Sequence, residues 1–546
     1  MKQTFLDYDY RSAKEMNCHV IDKTMLIKDL LDQHDRVTLI TRPRRFGKTF
    51  NLSMLSEFFD RQKDSQQIFT DTKIMDTEYK EQMNQWPLIY LSFSSAKGSL
   101  QQVCSAIKSQ ILNAWDRNKE VFENLSMIQN DRFQMIYSYL KETENSSLSG
   151  IAESLSFLIR RMNSVYHKKV IVLIDEYDTP FIESFIGGWY EQIRNDLAGL
   201  LQYTLKDSSE LQFAVMTGIQ RVAKENIFSG LNNLKVCTVC DDAYSQYFGF
   251  TEEETEDMLA SSGKEFNAEV RAMYDGYRFG HTDLYNPWSI MNYAQTGVLQ
   301  RYWVNTSGND LIRKALETCD ETFRMQYNEL IEEGSVTVPV SFQTSFFERK
   351  DNATLWGLFV NAGYLTIAEE INDHAIRKYR LVIPDDEVRS EFVSFTEASV
   401  HLRDNLLAEL TDRLLSGNQK MFLKCYQEFL LSPSYHDLIS ENSYHMLMLD
   451  AVLLLKNRFE ILSNRESGKG RPDLVLKALN SSADPSCILE FKYTKDQKKN
   501  LDKLAREGKK QCLDKVYQYG LKGTLYMVSL AHRGKDVAME WETKTI

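Results

Sequence analysis

Arg42-Pro43-Arg44-Arg45-Phe46-Gly47-Lys48-Thr49 follows directly on the apolar run Val37-Thr38-Leu39-Ile40-Thr41. A buried strand, a tight turn and Gly-Lys-Thr opening a helix make a phosphate-binding loop. Gly47 lets the backbone approach phosphate oxygens closely. Lys48 is suited to the β- and γ-phosphates and Thr49 to Mg²⁺. Arg42 stands where the usual pattern has its first glycine. Arg42, Arg44, Arg45 and Phe46 are therefore candidate nucleotide contacts together with Gly47, Lys48 and Thr49. A second run, Val170-Ile171-Val172-Leu173-Ile174, ends in Asp175-Glu176. Asp175 would complete the Mg²⁺ shell, and Glu176 would orient and deprotonate an attacking water. Thr217, at the end of Leu211–Met216, is a candidate sensor of the γ-phosphate. Arg221 is a candidate for stabilising transition-state charge. A strand terminus beside a solvated arginine explains those two residues equally well.

A different chemistry is written near the C-terminus, where Asp473-Leu474-Val475-Leu476 precedes Leu489-Glu490-Phe491-Lys492. Side chains alternate along a strand, so Glu490 and Lys492 share a face. If the two strands are neighbours, Asp473 meets Glu490. Two carboxylates and a main-chain carbonyl would suit Mg²⁺ or Mn²⁺. Such an ion activates water and stabilises charge on a phosphodiester. Lys492 would hold the water or the phosphate. Glu441 and Glu460 compete as an additional carboxylate. Residues 491–515 carry nine Lys or Arg against four Asp or Glu, a local basic excess in a chain of net charge −12. A nucleic-acid backbone and plain solvent are both compatible with that helix.

These residues need a scaffold. Strands are expected at 37–41, 88–94, 170–174 and 211–218, with helices at 48–60, 100–116, 151–166 and 190–206. Apolar strands alternating with helices imply a mostly parallel sheet in an α/β layer. Ligands of such sheets bind at the carboxyl edge, where Arg42, Asp175 and Thr217 would gather. Thr251-Glu252-Glu253-Glu254 reads as a helix start. The aromatic stretch 271–310 reads as a short hairpin and a helix. Residues 311–385 read as a small helical domain ending in a hairpin with its turn around 371–373. That pattern fits a winged-helix module or a structural lid. Residues 386–445 are mostly amphipathic helix. Strands follow at 458–463, 472–478, 486–493 and 523–530, with a helix of about 20 residues between the last two and a short closing strand.

The 546 residues provide for several domains. No apolar run approaches the length of a membrane span, and the N-terminus has no signal-peptide core. A cytoplasmic protein without membrane attachment is expected. The eight cysteines are scattered; Cys237 and Cys240 form a lone CxxC, better read as core thiols than as a zinc site.

The loop 42–49, Leu173–Asp178, Thr217-Gly218 with Ile227–Asn233, and Tyr274-Asp275-Gly276-Tyr277 with Tyr285–Ser289 together resemble bacterial AAA-ATPase-like proteins that carry a C-terminal domain of the PD-(D/E)XK nuclease superfamily. The Asp473…Glu490-x-Lys492 spacing is similar to that superfamily's signature. Gln511 and Tyr517 fall where its members place polar helix residues. The resemblance implies an α/β protein. Its P-loop ATPase core would occupy 1–250, a lid 251–310, a small helical or winged-helix domain 311–385, a helical connector 386–434 and a nuclease-like domain 435–546. It implies ATP and Mg²⁺ as cofactors, with Mn²⁺ an alternative at the second site. It also implies DNA as a partner and a homo-oligomer in which an arginine enters a neighbour's site. The catalytic set would be Glu176, Asp473, Glu490 and Lys492. Cleavage of nucleic acid coupled to ATP is the leading expectation; an ATP-switched scaffold with an inactive nuclease fold is the alternative.

Overall fold

The computed structural model describes residues 9–546 except 145, 207, 223–233, 304–309, 317–318, 343–344, 347, 374–375, 390–391, 393–403, 431–439, 464–470, 497, 516 and 519. The family-like segment Ile227–Asn233 lies outside the described residues. The chain packs as two units, Met1–Arg389 and Ser390–Ile546.

The first unit is built on five parallel strands: β1 (Val37–Thr41), β2 (Leu88–Ser92), β3 (Val170–Asp175), β4 (Leu211–Gly218) and β5 (Leu234–Cys237). Their order is β2-β3-β4-β1-β5, and every neighbouring pair is parallel. β1 and β3 are buried along their whole lengths. That is why they read as unbroken apolar runs rather than alternating ones. Because β1 and β3 both flank β4, the loop after β1 and the acids after β3 come to one sheet edge.

The expected helices are found at Lys48–Phe59, Leu100–Arg117, Ser154–Tyr166 and Tyr190–Leu205. Helices outside those expectations include Met25–Gln33, Met127–Lys141 and Thr179–Gly187. Thr251 begins the helix Glu252–Ser261 with a capping box, its hydroxyl and the Glu254 carboxylate each accepting a backbone N–H. The aromatic stretch forms the hairpin β6 (Tyr277–Phe279) and β7 (Thr282–Leu284), then the helix Pro287–Thr296.

Next come the helices Asp310–Leu316 and Glu321–Glu333, β8 (Ser335–Val338), the helix Asn352–Ala362, β9 (Thr366–Asp373) and β10 (Ile376–Val382). Sequence reasoning misses β8, and residues 371–373, where the turn is expected, are paired strand of β9. The sheet order is β8-β10-β9, antiparallel throughout. The helix Asn352–Ala362 is covered all round, with Leu355, Trp356, Leu358, Phe359 and Val360 each at most 2% exposed. A helix buried on every side offers no face to a nucleic-acid groove.

In the second unit, β11 (Phe459–Ser463), β12 (Leu474–Ala478), β13 (Ser486–Tyr493), β14 (Thr524–Arg533) and β15 (Asp536–Thr545) form one sheet in that order. β13 and β14 are parallel; the other pairs are antiparallel. The helix between β13 and β14, Leu501–Asp514, has 14 residues and is shorter than expected. The closing strand β15 has ten residues and is longer than expected. The helices Asp404–Leu415 and Gln419–Phe429 share the hydrophobic core of this sheet through Leu407, Leu410, Phe422 and Tyr426. They belong to the second unit's body instead of forming a connector. Among the described residues, no helix is long and apolar enough to cross a membrane.

Candidate nucleotide and metal sites

β1 delivers the phosphate-loop sequence to the carboxyl edge of the first sheet. Gly47 has φ +78 and stands immediately before the helix Lys48–Phe59. This left-handed conformation costs a glycine little and other residues more. Arg45 and Glu176 also have positive φ, +67 and +50. Non-glycine residues held there store strain of order 1–3 kcal/mol, which tends to collect at functional sites.

Lys48 is 8% exposed. Its Nζ donates to Arg42 O (2.9 Å) and Pro43 O (2.6 Å), curling the side chain back over its own loop. Burial pulls its pKa down to about 8. Thr49 Oγ1 donates to Asp175 Oδ2 (2.6 Å), and Thr217 Oγ1 donates to Asp175 Oδ1. Burial raises the Asp175 pKa, while the two hydroxyls oppose that rise. Glu176 Oε2 accepts from Thr179 Oγ1 (3.0 Å). A hydroxyl, two adjacent carboxylates, a lysine and a helix start therefore meet at one edge. This donor set fits a magnesium–triphosphate.

The remaining loop residues have other surroundings. Arg42 is fully buried. Its guanidinium donates to Thr41 O (2.8 Å), Cys237 O (3.1 Å) and Ala243 O (3.2 Å) and lies over the Phe248 and Phe279 rings. Burial lowers its pKa to about 10. Arg45 stacks over Trp288 at 4.2 Å. Phe46 packs edge-on against Tyr277, with ring centroids 4.8 Å apart. Trp303 Nε1 donates to Arg44 O (3.1 Å). A Cβ added at Gly363 would meet Pro43 Cβ at 2.7 Å. The loop is thus wrapped by the hairpin β6–β7 and by the segments around 288, 303 and 363.

Two neighbours of the acidic pair were given no role by sequence reasoning. Asp178 Oδ2 accepts from Ile219 N (2.8 Å) and Gln220 N (2.9 Å). Tyr177 OH donates to Gln220 O (2.7 Å) and accepts from Val222 N (2.8 Å). Together they fix the backbone on both sides of Arg221. Gly218 is required in between: a Cβ there would lie 2.6 Å from Asp178 Oδ1. Burial lifts the Asp178 pKa to about 6. Asp178 precedes Thr179-Pro180 at a helix start, so its sequence signal is that of a helix cap. Its carboxylate serves the neighbouring strand's loop instead.

In the second unit, β12 pairs with β13 through Leu474↔Leu489. One step further along the register sets Asp473 opposite Glu490. Asp473 Oδ2 accepts from Phe491 N (2.7 Å). Lys492 Nζ donates to Glu490 Oε1 (2.9 Å). Glu490 is 1% exposed. Burial and then repulsion from Asp473 lift its pKa to about 7. Its Oε2 is buried with no hydrogen-bond partner among the described residues. An unpaired carboxylate oxygen in such a place is costly, and a divalent cation would satisfy it. Among the described residues, no group of three or more His, Cys, Asp or Glu gathers as a metal cluster.

Of the two competing glutamates, Glu441 is near. Its carboxylate accepts from Tyr493 N (3.3 Å) and lies 3.9 Å from Lys492 Nζ. Glu460 pairs with Lys477 across β11–β12 (2.7 Å). Gln511 donates to Tyr517 OH (3.3 Å), which donates to Arg471 O (3.0 Å). On the basic helix, Arg506 and Lys509 are both paired with Glu540.

Residues 8–228 match the family described as predicted AAA-ATPase, and residues 439–542 match the PD-(D/E)XK nuclease superfamily. An uncharacterized protein in the vnfD 5' region of Azotobacter chroococcum mcd 1 is 27% identical over 374 residues, which are 68% of this chain and 65% of that protein. The chain thus spans less than two thirds of that relative. A STAND signal-transduction ATPase with a tetratricopeptide-repeat sensor from Pyrococcus horikoshii aligns over 80% of this chain and 58% of its own, at 11% identity and TM-score 0.24. Drosophila ORC bound to AT-rich DNA and Cdc6 aligns over 70% of this chain and 93% of its own, at 7% identity and TM-score 0.18. Likenesses at these TM-scores support no conclusion.

Proposed function

We propose that this chain, which joins an AAA-ATPase-like domain to a PD-(D/E)XK-superfamily domain, hydrolyses ATP and couples nucleotide state to metal-dependent cleavage of nucleic acid, with DNA as the substrate. The observation that carries the reading is the buried carboxylate of Glu490 beside half-buried Asp473, with one Glu490 oxygen unpaired among the described residues. A solvated salt bridge has no need of that arrangement.

In the first unit, Lys48 would hold the β- and γ-phosphates by exchanging the Arg42 and Pro43 carbonyls for phosphate oxygens. Thr49 and Asp175 would hold Mg²⁺. Glu176 would orient the attacking water, and Thr217 would keep the Asp175 carboxylate in register. Arg221 remains the candidate for offsetting transition-state charge. In the second unit, Asp473 and Glu490 would hold Mg²⁺ or Mn²⁺, which when bound supplies an activated water and charge neutralisation. Lys492 sits where it can hold a proton donor beside Glu490 and contact a phosphate. The protein would work in the cytoplasm, as a homo-oligomer if Arg221 serves a neighbouring copy.

The alternative is an ATP-switched scaffold. It is favoured by the pairing of Arg506 and Lys509 with Glu540, which removes charge a phosphate backbone would use. Circular and linear DNA incubated with the protein, with and without ATP and Mg²⁺ or Mn²⁺, separates the two. Cutting that disappears in Asp473→Ala supports the nuclease. Salt-sensitive binding without cutting supports the scaffold.

A further inference from the structure

β14 lies parallel to β13 with Glu490 and Ser529 as register partners. Register partners in a parallel pair project to the same face. Continuing outward, Ser529 pairs with Glu540 on β15. Glu490, Ser529 and Glu540 therefore form one row across three strands, and Asp473, the residue before β12, extends it. The outer member, Glu540, is neutralised by Arg506 and Lys509. Further in, Lys492 serves one oxygen of Glu490, and the other oxygen has no partner among the described residues.

Ser529 is 1% exposed, and its Oγ has no hydrogen-bond partner among the described residues; the same is true of Glu490 Oε2. Two buried oxygens without partners, on adjacent strands and one face, mark a place built for something polar. The helix Leu501–Asp514 passes close over Ser529 at Gly508. A Cβ added at Gly508 would come within 2.2 Å of Ser529 Oγ and 3.3 Å of Lys492 Cγ. A glycine at 508 thus lets the helix pass close to the hydroxyl and to the lysine that pairs with Glu490.

We infer that Ser529 is an additional oxygen donor of the second site, its hydroxyl holding the divalent cation or a water bound to it alongside Asp473 and Glu490. The inference rests on the metal-site reading above and adds a residue from a third strand. It also accounts for Gly508, since any side chain there would push into the hydroxyl. A neutral hydroxyl adds a donor without adding negative charge beside two carboxylates that already repel each other.

Mn²⁺ titrated calorimetrically into the full-length protein tests this without reference to cleavage. Wild type should bind, Asp473→Ala should not, and Ser529→Ala should bind about tenfold more weakly with an unchanged melting temperature in the absence of metal. Gly508→Ala, which leaves every donor in place and sets a methyl against the Ser529 hydroxyl, should weaken Mn²⁺ in the same direction. Ser529→Ala binding Mn²⁺ like wild type, while Asp473→Ala loses it, overturns the role of Ser529 alone. Wild-type protein that takes up no Mn²⁺ overturns this inference and the metal-site reading together.

Discussion

Thr49 and Asp175 are joined by a 2.6 Å hydrogen bond between the first turn of one helix and the last residue of a strand two positions away in the sheet. The pair spans 126 residues of chain. It exists because β4 lies between β1 and β3 and brings both carboxyl ends level. Thr217, at the end of β4, completes the contact from the middle.

Lys48→Ala should lower ATP affinity at least about tenfold, equivalent to roughly 1.4 kcal/mol. Fluorescent-nucleotide titration reads the change. The apo fold should not suffer, because the substitution removes a buried cation whose pKa is already pulled down to about 8. Unaltered affinity would remove Lys48 from the site.

Asp178→Ala should leave the Ile219 and Gln220 amides without an acceptor, costing of order 2–4 kcal/mol. Asp178→Asn keeps one acceptor and should be tolerated. The pH dependence separates them further. Native Asp178 keeps its proton up to about pH 6, against 3.8 for the unfolded chain. The stabilisation from that bound proton is complete below pH 3.8 and is lost as pH rises through 6. Asp178→Asn should therefore gain on wild type by up to about 3 kcal/mol across that window. Urea melts at stepped pH measure it; a constant difference contradicts the burial argument.

His445 and His532 are buried in the second unit, with pKa values pushed down by burial to about 4 and about 3. Below pH 6.5 the unfolded chain binds protons at both residues that the native fold refuses. Stability should fall as pH drops from 6.5 toward 4, by roughly 3 kcal/mol for each histidine. His445→Asn should flatten its share of the slope in acid unfolding followed by circular dichroism.

Glu490→Gln should abolish nucleic-acid cleavage while leaving ATP turnover within about twofold. The same substitution removes a buried carboxylate that faces Asp473, so the metal-free protein should melt higher at pH 8. A parallel loss of ATPase activity would argue against separate chemistry in the two units.

The sequence carried β1 to β4 of the first sheet, because largely buried parallel strands announce themselves as aliphatic runs, whereas β5, half-buried at three of its four residues, has no such run. β8 was hidden: Ser335-Val336-Thr337-Val338 is four residues long and pairs with a distant partner, β10. The helices 404–429 fall inside the expected connector because amphipathicity reveals a buried face and not what covers it. Among site residues, spacing alone identified Lys48, Thr49, Asp175, Asp473 and Glu490 as candidates. It could not choose between Glu441 and Glu460, since that depends on which side of the sheet a helix start reaches. Arg42 was grouped with the phosphate contacts because of its position in the loop, yet its side chain turns toward Cys237 and Ala243. Tyr177, Asp178 and Ser529 act through backbone groups or neighbouring strands, and no local pattern encodes them.

The turn of Arg42 away from the loop has a bearing on evolution and engineering. A glycine at that place would leave the phosphate cradle free to flex on its own; an arginine anchored in β5 and the segment beyond it makes the cradle's curvature depend on residues two hundred positions downstream. Grafting the eight-residue loop into another scaffold should carry over its letters but not its shape. Drift in residues 237–248 should register as altered nucleotide handling long before any phosphate-contacting side chain has changed.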